Sequence, residues 1–351
     1  MKPIPMPRPF HPGPLLAVLI ACSIPASAGV PEQLPAPDGE SADMSQPVRV
    51  YILMGQSNMI GFGQTGPDDS PGSLGYLTKT EKKYPHLIDG DGDWTVRRDV
   101  WCIQAMPGNR RGWLQPGFGA RADMIGPELG FGHVMGHIHD GPVVLIKAAW
   151  GNRALGWDLM PPSSRTIPPE EHENQYYQGY QLDAFLKATN GILDDLEGYF
   201  PDYAGQGHEI AGFAWWQGHA DQRTPRHVAE DPRWEIDYTA DYETNLANLI
   251  QDLRTEFDAP EAPFVLATIA FNGERLSGGG LKVARAQLAV SDPEKHPDFA
   301  GNVKTVEARP FWRDADISPA NAGHHYHHNA ATYHDVGEAL GRAMAQLHAG
   351  E

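Results

Sequence analysis

From about residue 48 onward, short apolar runs alternate with stretches in which apolar residues recur every three or four positions. The runs are Val48 to Met54, Pro142 to Ala149, Ile210 to Trp216, Phe264 to Ala270 and Val303 to Val306. Continuous rather than alternating apolarity at this length predicts strands buried on both faces. Between them, Leu182, Phe185, Leu186, Leu193 and Leu196 keep helical spacing. So do Leu246, Leu249, Ile250, Leu253 and Phe257, and finally Tyr333, Val336, Leu340, Met344 and Leu347. Strand and helix in alternation imply right-handed crossovers and a mostly parallel sheet covered on both sides, a three-layer α/β/α sandwich. No repeat and no second composition regime interrupts the pattern, which predicts a single domain over residues 47–351. In such sheets functional groups gather at the carboxyl ends of the strands. The Gly-, Pro- and Trp-rich connections over 107–127 and 151–169 are then the expected walls of a site.

The first residues follow a different rule. Lys2 and Arg8 precede an apolar run from Leu15 to Ile24 and the small triplet Ala26-Ser27-Ala28, the pattern of an export signal over residues 1–28. The run is shorter than the roughly 20 apolar residues a bilayer span requires. A periplasmic or extracellular protein is expected. Leu19-Ile20-Ala21-Cys22 also resembles a lipoprotein cleavage site, which would leave a lipid anchor on Cys22. Residues 29–46, rich in Pro, Asp, Glu and Ser, offer little to bury and predict a flexible leader.

Charge and cysteine content narrow the functions. The chain carries a formal net charge of −18, which repels phosphate backbones and argues against nucleic acid as a partner. Beyond the signal only Cys102 remains, so no internal disulfide forms and stability must come from the core. Cys102 itself reads as a small buried hydrophobe.

The first strand runs into Gly55-Gln56-Ser57-Asn58-Met59, a sharp turn that exposes a serine. Such a turn presents the hydroxyl and aims nearby backbone N–H groups at developing negative charge. On local pattern alone, Ser57 reads equally well as a helix cap. The five residues resemble the first block of the SGNH hydrolases of the sialate O-acetylesterase and carbohydrate esterase family six type. Four further segments resemble that family in its order. They are Ile125-Gly126-Pro127-Glu128-Leu129-Gly130-Phe131, then Lys147-Ala148-Ala149-Trp150-Gly151, then Ala214-Trp215-Trp216-Gln217-Gly218-His219-Ala220-Asp221. The last is His325-Tyr326 with Asn329-Ala330-Ala331.

The resemblance implies a serine esterase that removes O-acetyl groups from carbohydrate through an acyl-enzyme. Ser57 would be the nucleophile and His325 the general base. The oxyanion donors would be the Ser57 N–H, the Gly151 N–H and the Gln217 amide. Trp215 and Trp216 offer a sugar-stacking wall, although alternation along a strand sends at least one of them into the core. Asn329 is expected to cap the last helix. The chain departs from the family twice. His219 stands where the family has Glu, and Ala322 stands three residues before His325, where the family places its Asp. Asp314, Asp316, Asp221, Glu307 or a backbone carbonyl is left to orient the base, and His327 and His328 compete with His325 for that role.

Two other readings stand beside this one. Five histidines, His324, His325, His327, His328 and His334, crowd the C-terminal part and suggest a metal-dependent hydrolase. Their spacing matches no zinc motif, so no metal or other cofactor is expected. The missing Asp also suits a catalytically inert carbohydrate-binding relative. An acetylated carbohydrate is the expected partner, with xylan and sialic acids both compatible; the oligomeric state is not legible.

Overall fold

The computed structural model describes residues 29–173, 175–223 and 235–350. The expected export segment, with Cys22, lies outside them. Seven segments join one sheet: β1 (Val48–Gly55), β2 (Arg97–Met106), β3 (Arg111–Leu114), β4 (Val143–Ala149), β5 (His208–Trp216), β6 (Phe264–Ala267) and β7 (Val303–Val306). Their order is β3-β2-β4-β1-β5-β6-β7, and every pairing is parallel except that of β3 with β2. The expected three-layer α/β/α sandwich is present. In β1 every residue except Arg49 is buried, and in β4 all are, as their unbroken apolar runs require.

The helices that matter here are α1 (Ser57–Ile60), α2 (Glu128–Ile138), α3 (Tyr180–Asp194), α4 (Tyr242–Glu256), α5 (Gly278–Val290) and α6 (Ala330–Ala349). Alternation along β5 separates the two layers. Gly212 and Trp216 face α6, through Met344 and Tyr333, whereas Phe213 packs on Phe257 at the end of α4. α2 and α6 pack on one another.

Two sheet strands and one helix depart from the pattern read above. β2 starts with Arg97-Arg98-Asp99, and the Arg97–Asp99 pair masks the apolar stretch Val100 to Ile103 that inserts beside β4. β3 is a four-residue edge. α5 opens on three glycines, poor helix formers, and is held by packing and by Gln287, whose Oε1 accepts from Ile269 N. The expected leader is also packed: Val30 and Leu34 are buried, and the Arg342 guanidinium on α6 donates to the carbonyls of Pro31 and Glu32.

Chain order places β1 at a switch point. The chain first builds β2, β3 and β4 on one side of β1, then crosses to build β5, β6 and β7 on the other. The crevice outside the carboxyl ends of β4, β1 and β5 is where such sheets hold ligands. Gly55 closes β1 so tightly against β5 that a Cβ there would lie 2.2 Å from the Trp216 carbonyl oxygen, so only glycine fits.

A buried ion pair fixes that end of the sheet. Lys147 points from β4 into the interior with its side chain 1% exposed, and Glu128 at the start of α2 is equally covered. The Lys147 Nζ donates to Glu128 Oε2 at 2.7 Å, to the Ile60 carbonyl at 2.8 Å and to the Phe118 carbonyl. Glu128 Oε1 accepts from Gly126 N at 2.8 Å. All three ammonium hydrogens are used, which is the condition for a buried cation to be tolerated.

Removing one partner of a buried pair strands the other charge, at a cost of about 3–5 kcal/mol. Urea unfolding should therefore show Lys147→Met strongly destabilised. The double variant Lys147→Met/Glu128→Gln, which keeps an acceptor for Gly126, should recover part of the loss. A double variant no more stable than Lys147→Met would refute the pairing as the cause.

Candidate active site

Ser57 follows β1 directly as the first residue of α1, and no side-chain cap bond forms at that end, so the helix-capping role is not taken up. Its neighbours are anchored on both sides. The Gln56 Oε1 accepts from the N–H groups of Gly218 and Ala220, each at 3.3 Å, tying the turn to the end of β5. The Tyr333 hydroxyl on α6 donates to Asn58 Oδ1 at 3.0 Å. The Ser57 turn is thus held by the layer below it and by the strand beside it.

Gly151 stands one turn beyond β4, where Trp150 N donates to the Gly55 carbonyl at 3.3 Å. A Cβ built on Gly151 would lie 3.9 Å from the Ser57 Cβ, so the two expected residues do meet. Among the described residues neither the Ser57 N–H nor the Gly151 N–H has a protein acceptor.

Gln217 is placed beside them but is not a free donor, contrary to the expectation from its motif. Its Nε2 donates to the Arg153 carbonyl at 2.8 Å and to Asp221 Oδ2 at 2.6 Å, while its Oε1 accepts from the Tyr242 hydroxyl at 2.9 Å. The Arg153 carbonyl has no hydrogen to give, so turning the amide around would set two acceptors against one another. Asp221, one of the four proposed orienting acids, is equally committed. Besides Gln217 it accepts from Leu155 N at 3.0 Å and Gly156 N at 2.9 Å. Burial pushes its carboxyl up to about 7, against the pull of these three donors. Together Gln217 and Asp221 fasten the loop that begins at Gly151.

The other three acids are bonded elsewhere or exposed, although the Asp314 carboxyl, lowered by its bonds from Trp312 and Arg275, lies near enough to His327 to be lowered further. Glu307 accepts from Thr268 Oγ1 and from Arg309, Asp314 accepts from Arg275 and Trp312 Nε1, and Asp316 is exposed. Among the described residues none of the four forms a hydrogen bond or ion pair with a histidine of the 324–328 loop, so an orienting carboxylate is not found where the family has its Asp.

The histidine loop, Gly323–His328, is a pair of short turns joined at a kink, in which Tyr326, His327 and His328 adopt φ of 48°, 54° and 61°. Three successive side-chain-bearing residues in the left-handed region cost roughly 1–2 kcal/mol each and need firm support. Tyr326 supplies it. Fully buried, it stacks on Trp216 and Phe271, and its hydroxyl accepts from Ala270 N at 3.2 Å. Asn329 caps α6 as expected, its Oδ1 accepting from Ala331 N at 3.0 Å.

The loop keeps the His325 ring between those of His324, at 4.2 Å, and His328, at 6.1 Å, and sends His327 elsewhere. His325 lies flat on Phe62, five residues beyond the nucleophile, with ring centroids 3.8 Å apart and 7° between planes. His328 turns to Gln64 and His327 packs edge-on against Trp312, while His334 sits on α6 against Tyr84. The five do not converge, and among the described residues no cluster of three or more His, Cys, Asp or Glu is arranged to hold a metal ion. Of the three candidates for the base, His325 alone stacks face to face on a residue of the segment that follows Ser57. No hydrogen bond joins the Ser57 hydroxyl to a histidine among the described residues.

Burial first, and then the neighbouring His324, His328 and His219, push the His325 imidazole down to about 3. His219, replacing the family's Glu, is likewise lowered to about 4 by burial and packs on Phe271. Trp215 and Trp216 are both core residues, 0% and 1% exposed, and form no wall. The exposed indole is Trp150, 38% exposed and adjacent to Gly151. Its signal was in the sequence, since it sits just past a strand end. A larger cavity of about 640 Å³ opens at the amino ends of β1 and β5, the opposite edge of the sheet from Ser57.

The family described as carbohydrate esterase, sialic acid-specific acetylesterase matches residues 47–346. No curated protein matches the chain. A solved protein from Arabidopsis thaliana is 18% identical, with 85% of this chain and 98% of that one covered and a TM-score of 0.51. A carbohydrate acetylesterase from Xanthomonas citri is 14% identical, with a TM-score of 0.52, and the match covers 86% of this chain and 57% of that protein. At these identities the two structures show a shared fold.

The lowered His325 has a direct readout. In an NMR titration its imidazole should remain neutral down to pH 5, because a depressed value keeps the ring unprotonated as pH falls through the usual 6.5. Phe62→Ala, which opens the stacked face to water, should raise the midpoint. A wild-type midpoint near 6.5 would contradict the burial described here.

Proposed function

The chain belongs to the sialic acid-specific acetylesterase family of carbohydrate esterases, and from that premise we propose that Ser57 and His325 carry out the deacetylation of an acetylated sugar. The observation that carries this reading is the meeting of Ser57 and Gly151 at the ends of adjacent central strands, both with unused N–H groups. His325 takes the Ser57 proton as the hydroxyl oxygen attacks the acetyl carbonyl. The two N–H groups stabilise the resulting oxyanion. Its collapse expels the sugar oxygen, which recovers the proton from His325, and leaves acetyl-Ser57. Water then attacks the acetyl carbonyl as His325 takes its proton, and the collapse that breaks the bond to Ser57 releases acetate while His325 returns the proton to the Ser57 oxygen.

Gln217 enters this scheme as a positioning residue that holds the Gly151 loop through Arg153 and Asp221. His325 works without a carboxylate partner, oriented by its stack on Phe62 and by the loop bond from His325 N to the Ala322 carbonyl at 2.8 Å. A base of low basicity stays unprotonated, and so competent, down to mildly acidic pH. The hydrogen bond from Ser57 to His325 forms when substrate arrives, as catalytic bonds often tighten only in the complex. Trp150 offers a face for the sugar ring. The signal-like residues 1–28 support export to the periplasm or exterior, where acetylated polysaccharide is met.

Ser57→Ala should abolish acetate release from acetylated xylan and from 4-nitrophenyl acetate while the melting temperature holds. Gly151 separates backbone from side chain in the same assay. Gly151→Ala keeps the N–H and meets only an ordinary contact at 3.9 Å, so it should retain most activity. Gly151→Pro removes the donor and should lower kcat by about 10²–10³. Equal activity in the two Gly151 variants would remove this N–H from the mechanism.

A further inference from the structure

The loop that starts at Gly151 goes on to line a second cavity, of about 340 Å³, against α4. That volume is at the small end of the range of about 300–1,000 Å³ typical of ligand sites. Gly156 lies so close to the ring of Tyr238 that a Cβ there would come within 2.4 Å of it, which brings the loop backbone flat against an aromatic wall. Trp157 supplies a second aromatic side chain. The floor is Asn245 on α4. It is 6% exposed, lines the cavity, and among the described residues its side-chain amide makes no hydrogen bond. With no internal bond, its amide atoms reach the solvent and are free to bond a ligand.

The chemistry of the lining selects the ligand. An amide offers both donors and acceptors, as sugar hydroxyl groups require, and the partly exposed Trp157 ring suits the apolar face of a pyranose, with the buried Tyr238 behind the loop. Among the described residues Asp237 and Asp241 line the cavity and no Lys, Arg or His does, which disfavours a carboxylated or phosphorylated group. Gly156 is five residues from Gly151, and five residues span at most roughly 18 Å. Gly156 N is also bonded to Asp221 at 2.9 Å, the carboxylate that holds Gln217, so cavity and nucleophile share one rigid support.

We propose that this cavity is a subsite for a neutral sugar residue of an oligosaccharide whose acetylated residue lies at Ser57, with Asn245 hydrogen-bonding its hydroxyl groups. The proposal rests on the carbohydrate esterase reading and deepens it, favouring acetylated neutral polysaccharide over sialic acid as substrate.

Asn245→Ala and the volume-conserving Asn245→Leu test it, since neither breaks an internal side-chain bond. The probes are acetylated xylo-oligosaccharides, acetylated glucomannan oligosaccharides, O-acetyl sialic acid and 4-nitrophenyl acetate, which is too small to reach the cavity. For the oligosaccharide that the wild type deacetylates faster, the ratio of its kcat/KM to that of 4-nitrophenyl acetate should fall about 3- to 10-fold in both variants, mainly through KM, as for loss of a neutral hydrogen bond. An unchanged ratio, whether both activities hold or both fall together, overturns the subsite. So does a wild type that deacetylates sialic acid and neither oligosaccharide. A wild type that releases acetate from none of the sugars overturns the esterase reading itself, and the subsite with it.

Discussion

Burying one lysine organises the catalytic end of this sheet. Lys147 occupies a strand position where any apolar residue would satisfy the core, and its charge can be accepted there only if all its hydrogens find partners. The partners come from three places: the end of the nucleophile helix at Ile60, the connection at Phe118, and α2 at Glu128. The turn bearing Ser57 therefore cannot shift without exposing a buried ammonium. The same pair, through Glu128, holds the Gly126 N–H and so fixes how α2 enters against the sheet. Specificity of this kind, in which a polar group admits only one arrangement of its neighbours, is what a site needing sub-ångström placement requires.

On the opposite flank of Ser57 a second buried polar set does comparable work with a carboxylate. Asp221 gathers two backbone N–H groups of the Gly151 loop and the Gln217 amide, and Gln217 in turn reaches Arg153 and Tyr242. One cation fixes the Ser57 side and one carboxylate fixes the Gly151 loop. The two serve β4 and β5, the strands on either side of β1. Between them the reacting groups need few direct contacts with each other in the resting protein.

The strands were legible wherever the apolar runs were unbroken, because burial on both faces leaves no other composition. β2 was not, since its Arg97–Asp99 pair hides an inserted strand behind charges that satisfy one another. Ser57 and Gly151 were legible from their motifs, since a strand-end turn needs particular residues whatever surrounds it. The role of Gln217 was not. Where an amide sends its hydrogens depends on Arg153 and Asp221, which reach it only after a loop and a turn have folded. The same holds for the acids: a carboxylate three residues before His325 is a local feature, whereas Glu307 and Asp314 are claimed by arginines from elsewhere in the fold. The leader reads as disordered by composition, and two apolar residues with one arginine on α6 suffice to pack it.

The central claim is that chemistry passes through an acetyl group on Ser57. Rapid acid quench of the enzyme during turnover of 4-nitrophenyl acetate, followed by peptide mass spectrometry, measures this directly. The account predicts one added acetyl group on the peptide spanning Gly55 to Met59, located on Ser57. Its level should rise in His325→Ala if residual acylation outpaces deacylation. Steady turnover with that peptide unmodified at every quench time, and the acetyl group found on another residue, would contradict it.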